Sequence, residues 1–261
     1  MNGNPLNDVI MPFDNNNSSF CKDYSGYGFV GTIVGPEWNS SGIRGGAYYF
    51  DGGSDQISLD LPGVFDNISD NDFTISIWFN SEAIHEDMRM LLQIRKDTRN
   101  FISIFQYGNE MHFGVSQSGI KDAIRTENLT NDIWYHLVTT WDALDRSQKI
   151  YINGVLYNKT GYRNYPYGAH TGILLGAGTA SSRFWWGYMD ELMIFHRVLS
   201  KEQVFQLYLD QKDANFNSSS IVCKETNMGE IWQCEMITNN GIIDGNPVIS
   251  NTLQIIKYFG G

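Results

Sequence analysis

Residues 149–157 read Lys149-Ile150-Tyr151-Ile152-Asn153-Gly154-Val155-Leu156-Tyr157, two β-prone runs joined by an Asn-Gly pair. A two-residue turn between paired strands needs positive φ at both central positions, which Asn and Gly tolerate best. The segment is therefore predicted as an antiparallel hairpin.

Around it the chain reads as short strands separated by turn residues, from about residue 47 onward. In Phe73-Thr74-Ile75-Ser76-Ile77-Trp78-Phe79, the side chains of Phe73, Ile75, Ile77 and Phe79 share one face by the period of two, and that face is core. Further strands are expected at Met90–Ile94, Phe101–Phe105, Met111–Val115, Trp134–Trp141, Ile173–Gly176 and Gly187–Phe195. Helical spacing appears late, where Ser200 and Gln203 form a capping box and Val204, Leu207 and Tyr208 fall on one side of a short helix. The expected fold is all-β: a two-sheet antiparallel β-sandwich with one short helix and a small C-terminal β appendage. The polar run around Asn215-Phe216-Asn217-Ser218 reads as a linker. It divides a sandwich over 1–211, a linker over 212–220 and a small β segment over 221–261.

With 42% hydrophobic and only 18% charged residues the chain can bury a core, which excludes a disordered class. A net charge of -11, with its 18 Lys and Arg scattered, argues against nucleic acid as a partner. No apolar run is long enough for a membrane span. The start, Met1-Asn2-Gly3-Asn4-Pro5, lacks a signal-peptide pattern, so export would make this a mature fragment. Acceptor patterns for N-glycosylation stand at Asn16, Asn17, Asn39, Asn67, Asn128, Asn158 and Asn217, more than chance would place, and support an extracellular or cell-surface home. Cys21, Cys223 and Cys234 are odd in number; Cys223 with Cys234 is the preferred bridge, leaving Cys21 without an assigned partner.

Several ordered patterns resemble the laminin-G-like, concanavalin-type jelly-roll family across roughly residues 11–210. They are Asp23-Tyr24-Ser25-Gly26-Tyr27-Gly28, Gly46-Ala47-Tyr48-Tyr49-Phe50-Asp51-Gly52, Phe73–Trp78, Trp134–Asp142, Ile150–Gly154, Gly187-Tyr188-Met189-Asp190-Glu191-Leu192 and Leu199–Val204. The resemblance implies two antiparallel sheets of about six or seven strands and a non-catalytic module for carbohydrate or protein ligands. It also implies a structural calcium ion where the Asp23 loop meets Asp190, with Asp14 as a further ligand; hard loop oxygens and the acidic surplus suit that ion. The competing reading is that Asp23 caps a turn and Asp190 bonds backbone amides. The tail around Trp232 and Cys234 resembles the last strands of an immunoglobulin-like domain.

Enzymes on such sandwiches carry paired carboxylates alternating along a strand. Asp190 and Glu191 are adjacent, so strict alternation turns them to opposite faces. None of the five histidines shows a catalytic or metal-binding spacing, and His136, between Tyr135 and Leu137, reads as structural. For a ligand surface, Tyr162, Tyr165, Tyr167, His170, Arg183 and Trp185 form a loop-borne aromatic cluster suited to stacking on sugars or anchoring a protein, whereas Trp186 reads as a ring covering the sandwich edge. The function expected is a non-catalytic extracellular adhesion module for carbohydrate or a glycosylated surface protein. The alternatives are a self-associating structural subunit of a surface filament or layer and, with less support, a glycoside hydrolase.

Overall fold

The structure is a computed structural model that describes residues 9–65, 71–83, 85–97, 100–117, 120–161, 170–178, 183–212, 229, 231–233, 235–236 and 245–254. Strands are numbered in chain order. One sheet runs through β14 (Val155–Gly161), β13 (Ser147–Ile152), β12 (Trp134–Asp142), β7 (Phe73–Ser81), β16 (Trp186–Phe195), β5 (Ala47–Asp51) and β4 (Glu37–Asn39), with β1 (Val9–Met11) also paired to β16. The other runs through β11 (Ile120–Arg125), β10 (Glu110–Gln117), β9 (Phe101–Gly108), β8 (His85–Arg95), β15 (His170–Leu175), β6 (Gln56–Phe65), β3 (Val30–Val34) and β2 (Phe20–Lys22). The two sheets enclose one core in which Trp141, Trp185, Phe50, Phe73 and Phe113 are fully buried. Each such ring contributes about 1.5–3 kcal/mol by leaving water.

Every strand expected from alternation is present, and Phe73, Ile75, Ile77 and Phe79 face the core together. Each sheet has eight strands, more than the six or seven expected. The surplus comes partly from β1 to β4, which run only three to five residues, so their periodicity is too short to read. The Asn153-Gly154 turn has φ of 50° and 77°, as a tight hairpin requires.

The helix α1 (Lys201–Lys212) starts with the reciprocal cap: Ser200 N donates to Gln203 Oε1 at 2.7 Å and Gln203 N donates to Ser200 Oγ at 3.3 Å. It lies on the outer face of the first sheet, where Val204 and Leu207 pack against Val138, Tyr151 and Phe195. Beneath it the rings of Trp78 and buried His136 lie 5.1 Å apart, and Tyr208 of the helix covers both, with centroids 5.8 and 6.0 Å away. His136 Nε2 meets Ser76 Oγ at 2.8 Å, and burial holds the imidazole neutral by driving its pKa down to about 3. In the tail, β17 (Ile231–Trp232) pairs with β20 (Leu253–Gln254), and β18 (Glu235–Met236) with β19 (Val248–Ile249).

Candidate functional site

The outer face of the second sheet carries a trough that crosses the strands. Gln93, Ser103, Gly114 and Ala123 stand opposite one another on β8, β9, β10 and β11, forming a floor of mostly small side chains. One row along, Met90, Phe105, His112 and Arg125 are likewise in register and form a wall. On the other side stand Arg95, Phe101 and Ser116. Among these rows lies a pocket of about 50 Å³, lined by Met90, Phe101, Ser103, Phe105, Ser116 and Ala123, to which Met88 and Arg183 also contribute. Alternation along each strand builds it: every second side chain fills the core, and the intervening ones are short on the floor and bulky on the wall.

The wall is preformed. Phe105 and His112 stack with centroids 4.8 Å apart and planes 12° from parallel, and Tyr107 meets His112 edge-on at 6.4 Å. His112 Nε2 lies 3.4 Å from Glu110 Oε2, which also pairs with Arg125 Nη1 at 3.1 Å. Burial lowers the His112 pKa despite the opposing pull of Glu110. At the sheet edge the surface opens into a polar cleft of about 510 Å³ lined by Glu110, Arg125, Glu127, Asn128, Tyr157 and Asn158.

Of the ligand residues expected from the sequence, Arg183 lines the trough. His170 opens β15, opposite Phe65, and its side chain lies outside the described residues, as do Tyr162, Tyr165 and Tyr167. The two tryptophans exchange roles. Trp185, expected at the surface, is fully buried and packs edge-on against Phe79 at 5.7 Å, whereas Trp186 is 37% exposed. The cause is parity: Trp186 opens β16 on the outward side, so its neighbour turns inward. Phe105 and His112 were missed because the trough is a product of register, which no single stretch of sequence carries.

The acidic residues do not converge as a group of three. Asp23 is absorbed by its own loop, accepting from the amides of Ile10, Ser25 and Phe29 and from Ser25 Oγ. Asp190 accepts from the amides of Ile43, Arg44 and Glu191, and Asp14 from that of Gly46, so both hold the 42–46 loop in place. Glu191 joins them, 3.8 Å from Arg44 Nε and accepting from Gln211 Nε2 at 3.0 Å. Strict alternation fails here, because Glu191 takes φ 52° and the register breaks between Asp190 and Met193. Among the described residues no three His, Cys, Asp or Glu side chains are placed to hold a metal ion. Asp14, Asp23 and Asp190 each accept from backbone amides where they stand.

Asn16, Asn128 and Asn158 are exposed, and Asn17 and Asn39 are half-buried with their carbonyls bonded to nearby amides. Asn67, Asn217, Cys223 and Cys234 lie outside the described residues. Cys21 is a buried thiol whose pKa burial pushes up to about 12, with Sγ 3.8 Å from Met11 Sδ.

A sequence model of the concanavalin A-like lectin/glucanases superfamily, of laminin-G type, matches residues 51–205. The chain belongs to that superfamily. No curated protein matches it. Among solved structures, the botulinum neurotoxin serotype G binding domain superposes with a TM-score of 0.67 at 18% identity, covering 80% of this chain and 52% of that one. The serotype D binding domain gives 0.65 at 15% identity, covering 79% and 53%. This laminin-G-like chain thus spans about half the length of the toxin binding domains it matches. Domain 4 of AbnA, a GH43 extracellular arabinanase from Geobacillus stearothermophilus solved with arabinotriose, gives 0.62 at 23% identity, covering 78% of this chain and 99% of that one. At these identities the neighbours establish the fold, a concanavalin-like sandwich shared with binding domains. No helix among the described residues is long and apolar enough to cross a membrane.

Proposed function

We propose that this chain is a non-catalytic carbohydrate-binding module of an extracellular or cell-surface protein, and that its ligand lies along the trough of the second sheet. The observation that carries this reading is the stacked Phe105–His112 wall beside a floor of small residues. An apolar sugar face can rest on the rings, while hydroxyls reach Ser103, Ser116, Arg183 and, at the open end, Glu110 and Arg125. The exposed acceptor asparagines and an arabinotriose-bound neighbour of the same fold support it.

Calorimetric titration of the full chain with arabinotriose, together with a glycan array, tests the reading. Phe105→Ala should weaken binding about tenfold, and Ala123→Trp, at an exposed floor position, should abolish it. Binding unchanged in both variants would place the ligand elsewhere.

A second reading, self-association as a structural unit, draws on the opposite edge of the same face. There Phe20, Val30 and Val34 are each about half exposed on β2 and β3. Light scattering on the eluted chain separates the two, since ordered oligomers with a silent glycan array favour assembly.

A further inference from the structure

The first sheet also has an outward face, and α1 covers the part over Val138, Tyr151, Phe195, Trp78 and His136. Beyond Trp78 and His136, one residue from each of five strands falls into register: Trp134 opposite Asn80, Asn80 opposite Tyr188, Tyr188 opposite Tyr49, and Tyr49 opposite Glu37. The rings are continuous, with Trp134 and Tyr188 centroids 6.0 Å apart and Tyr188 and Tyr49 4.9 Å apart. Trp186 extends the row: its Nε1 donates to Tyr49 Oη at 3.0 Å, and Tyr49 Oη donates to Glu82 Oε2 at 2.9 Å. The row itself was not expected, because Trp134, Asn80, Tyr188 and Tyr49 lie on separate strands and alternation does not say which stand side by side.

The chemistry of the row selects its partner. Its charged groups are both acceptors, the carboxylates of Glu82, which accepts from Tyr49 Oη, and of Glu37. No Lys or Arg stands at the register positions of the row. A purely apolar partner would seal these acceptors away from any donor, which is unfavourable. An acidic polymer would meet carboxylates of its own sign. A neutral sugar chain supplies both missing elements, C–H faces for the rings and hydroxyl donors for the acceptors. We propose that the Trp134–Tyr188–Tyr49–Trp186 row is a second carbohydrate surface, for an uncharged polysaccharide, on the sheet opposite the trough.

The test is native electrophoresis of the full chain through gels containing hydroxyethylcellulose, galactomannan or linear arabinan, with polygalacturonate as the anionic control. At least one neutral polymer should retard the chain, polygalacturonate should not, and Ala123→Trp, which fills the trough, should still be retarded. In that background Trp134→Ala should weaken retardation at least tenfold. Trp186→Ala, at a more exposed ring, should weaken it severalfold and decides the matter if Trp134→Ala melts unlike its parent. Full loss of retardation in Ala123→Trp alone would overturn the row and leave the trough as the sole site. Equal retardation of the Ala123→Trp parent and both tryptophan variants would overturn it too, as would equal retardation by polygalacturonate.

Discussion

Asp190 and Glu191, neighbours in sequence, place both carboxylates around Arg44, because the positive φ of Glu191 breaks the alternation of β16. The break falls where β16 changes partner, from β5 at Trp186–Met189 to β1 at Leu192–Ile194. The 42–46 loop fills the gap and is held by Asp190 and Asp14. The acidic pair is thus a structural joint inside the first sheet, where an interior strand changes partner.

Burial raises the Glu191 pKa to about 7, with Asp14 adding to the effect and Arg44 opposing it, and Asp190 is raised in the same direction. The folded state then keeps a proton that the unfolded chain releases above its ordinary value of 4.5. This contribution to stability is complete below that pH and is lost as pH rises toward 7, at up to about 1.4 kcal/mol per pH unit. Urea unfolding of Glu191→Gln from pH 4 to 8 should show a shallower fall than the unsubstituted chain, Asp190 keeping its own share.

His136 acts with the opposite sign. Its folded pKa of about 3 lies below the ordinary 6.5, so stability falls as the unfolded chain gains a proton below pH 6.5. Between about 4.5 and 6.5 this rise with pH opposes the fall contributed by Glu191 and by Asp190, which is raised in the same direction. His136→Gln should steepen the fall of stability with pH, and Glu191→Gln should make it shallower. A wild-type profile that both variants merely displace, without tilting it, would refute this coupling.

The exchanged tryptophans give a direct contrast. Trp185→Ala empties a fully buried site and should cost about 3–5 kcal/mol in chemical denaturation. Trp186→Ala removes a surface ring and should cost under about 1 kcal/mol.

Gly154 combines φ 77° with Phe205 Cδ2 only 2.8 Å from where a Cβ would sit. Gly154→Ala should therefore destabilise by about 1–2 kcal/mol from backbone strain alone. Because the clash falls on α1, protection of the helix amides in hydrogen exchange should drop more than that of β7.

The strands were legible because half-buried sheets write a period of two into residues such as Phe73, Ile75, Ile77 and Phe79. The helix was legible because Ser200 and Gln203 satisfy each other locally. The trough was not, since Gln93, Ser103, Gly114 and Ala123 are ordinary in isolation and meaningful only once four strands are in register. The same holds for Trp134 and Tyr49, which are far apart in sequence and have two strands between them in the sheet. The Asp190–Glu191 joint escaped the alternation rule for a different reason: one residue of extra length is invisible until its neighbours on both sides are placed.

The pairing of β1 with β16 has a mechanical consequence. Val9, at the leading end of β1, sits opposite Ile194, near the trailing end of β16, so both ways out of the sandwich leave from the same end of this antiparallel pair. Tension between the sandwich's two ends, once α1 has lifted, would peel β1 away one hydrogen bond after another instead of loading all of them at once. Under pull this ladder yields as a zipper does, at low force, and a module held in a stretched array would lose its first strand well before its core gives way.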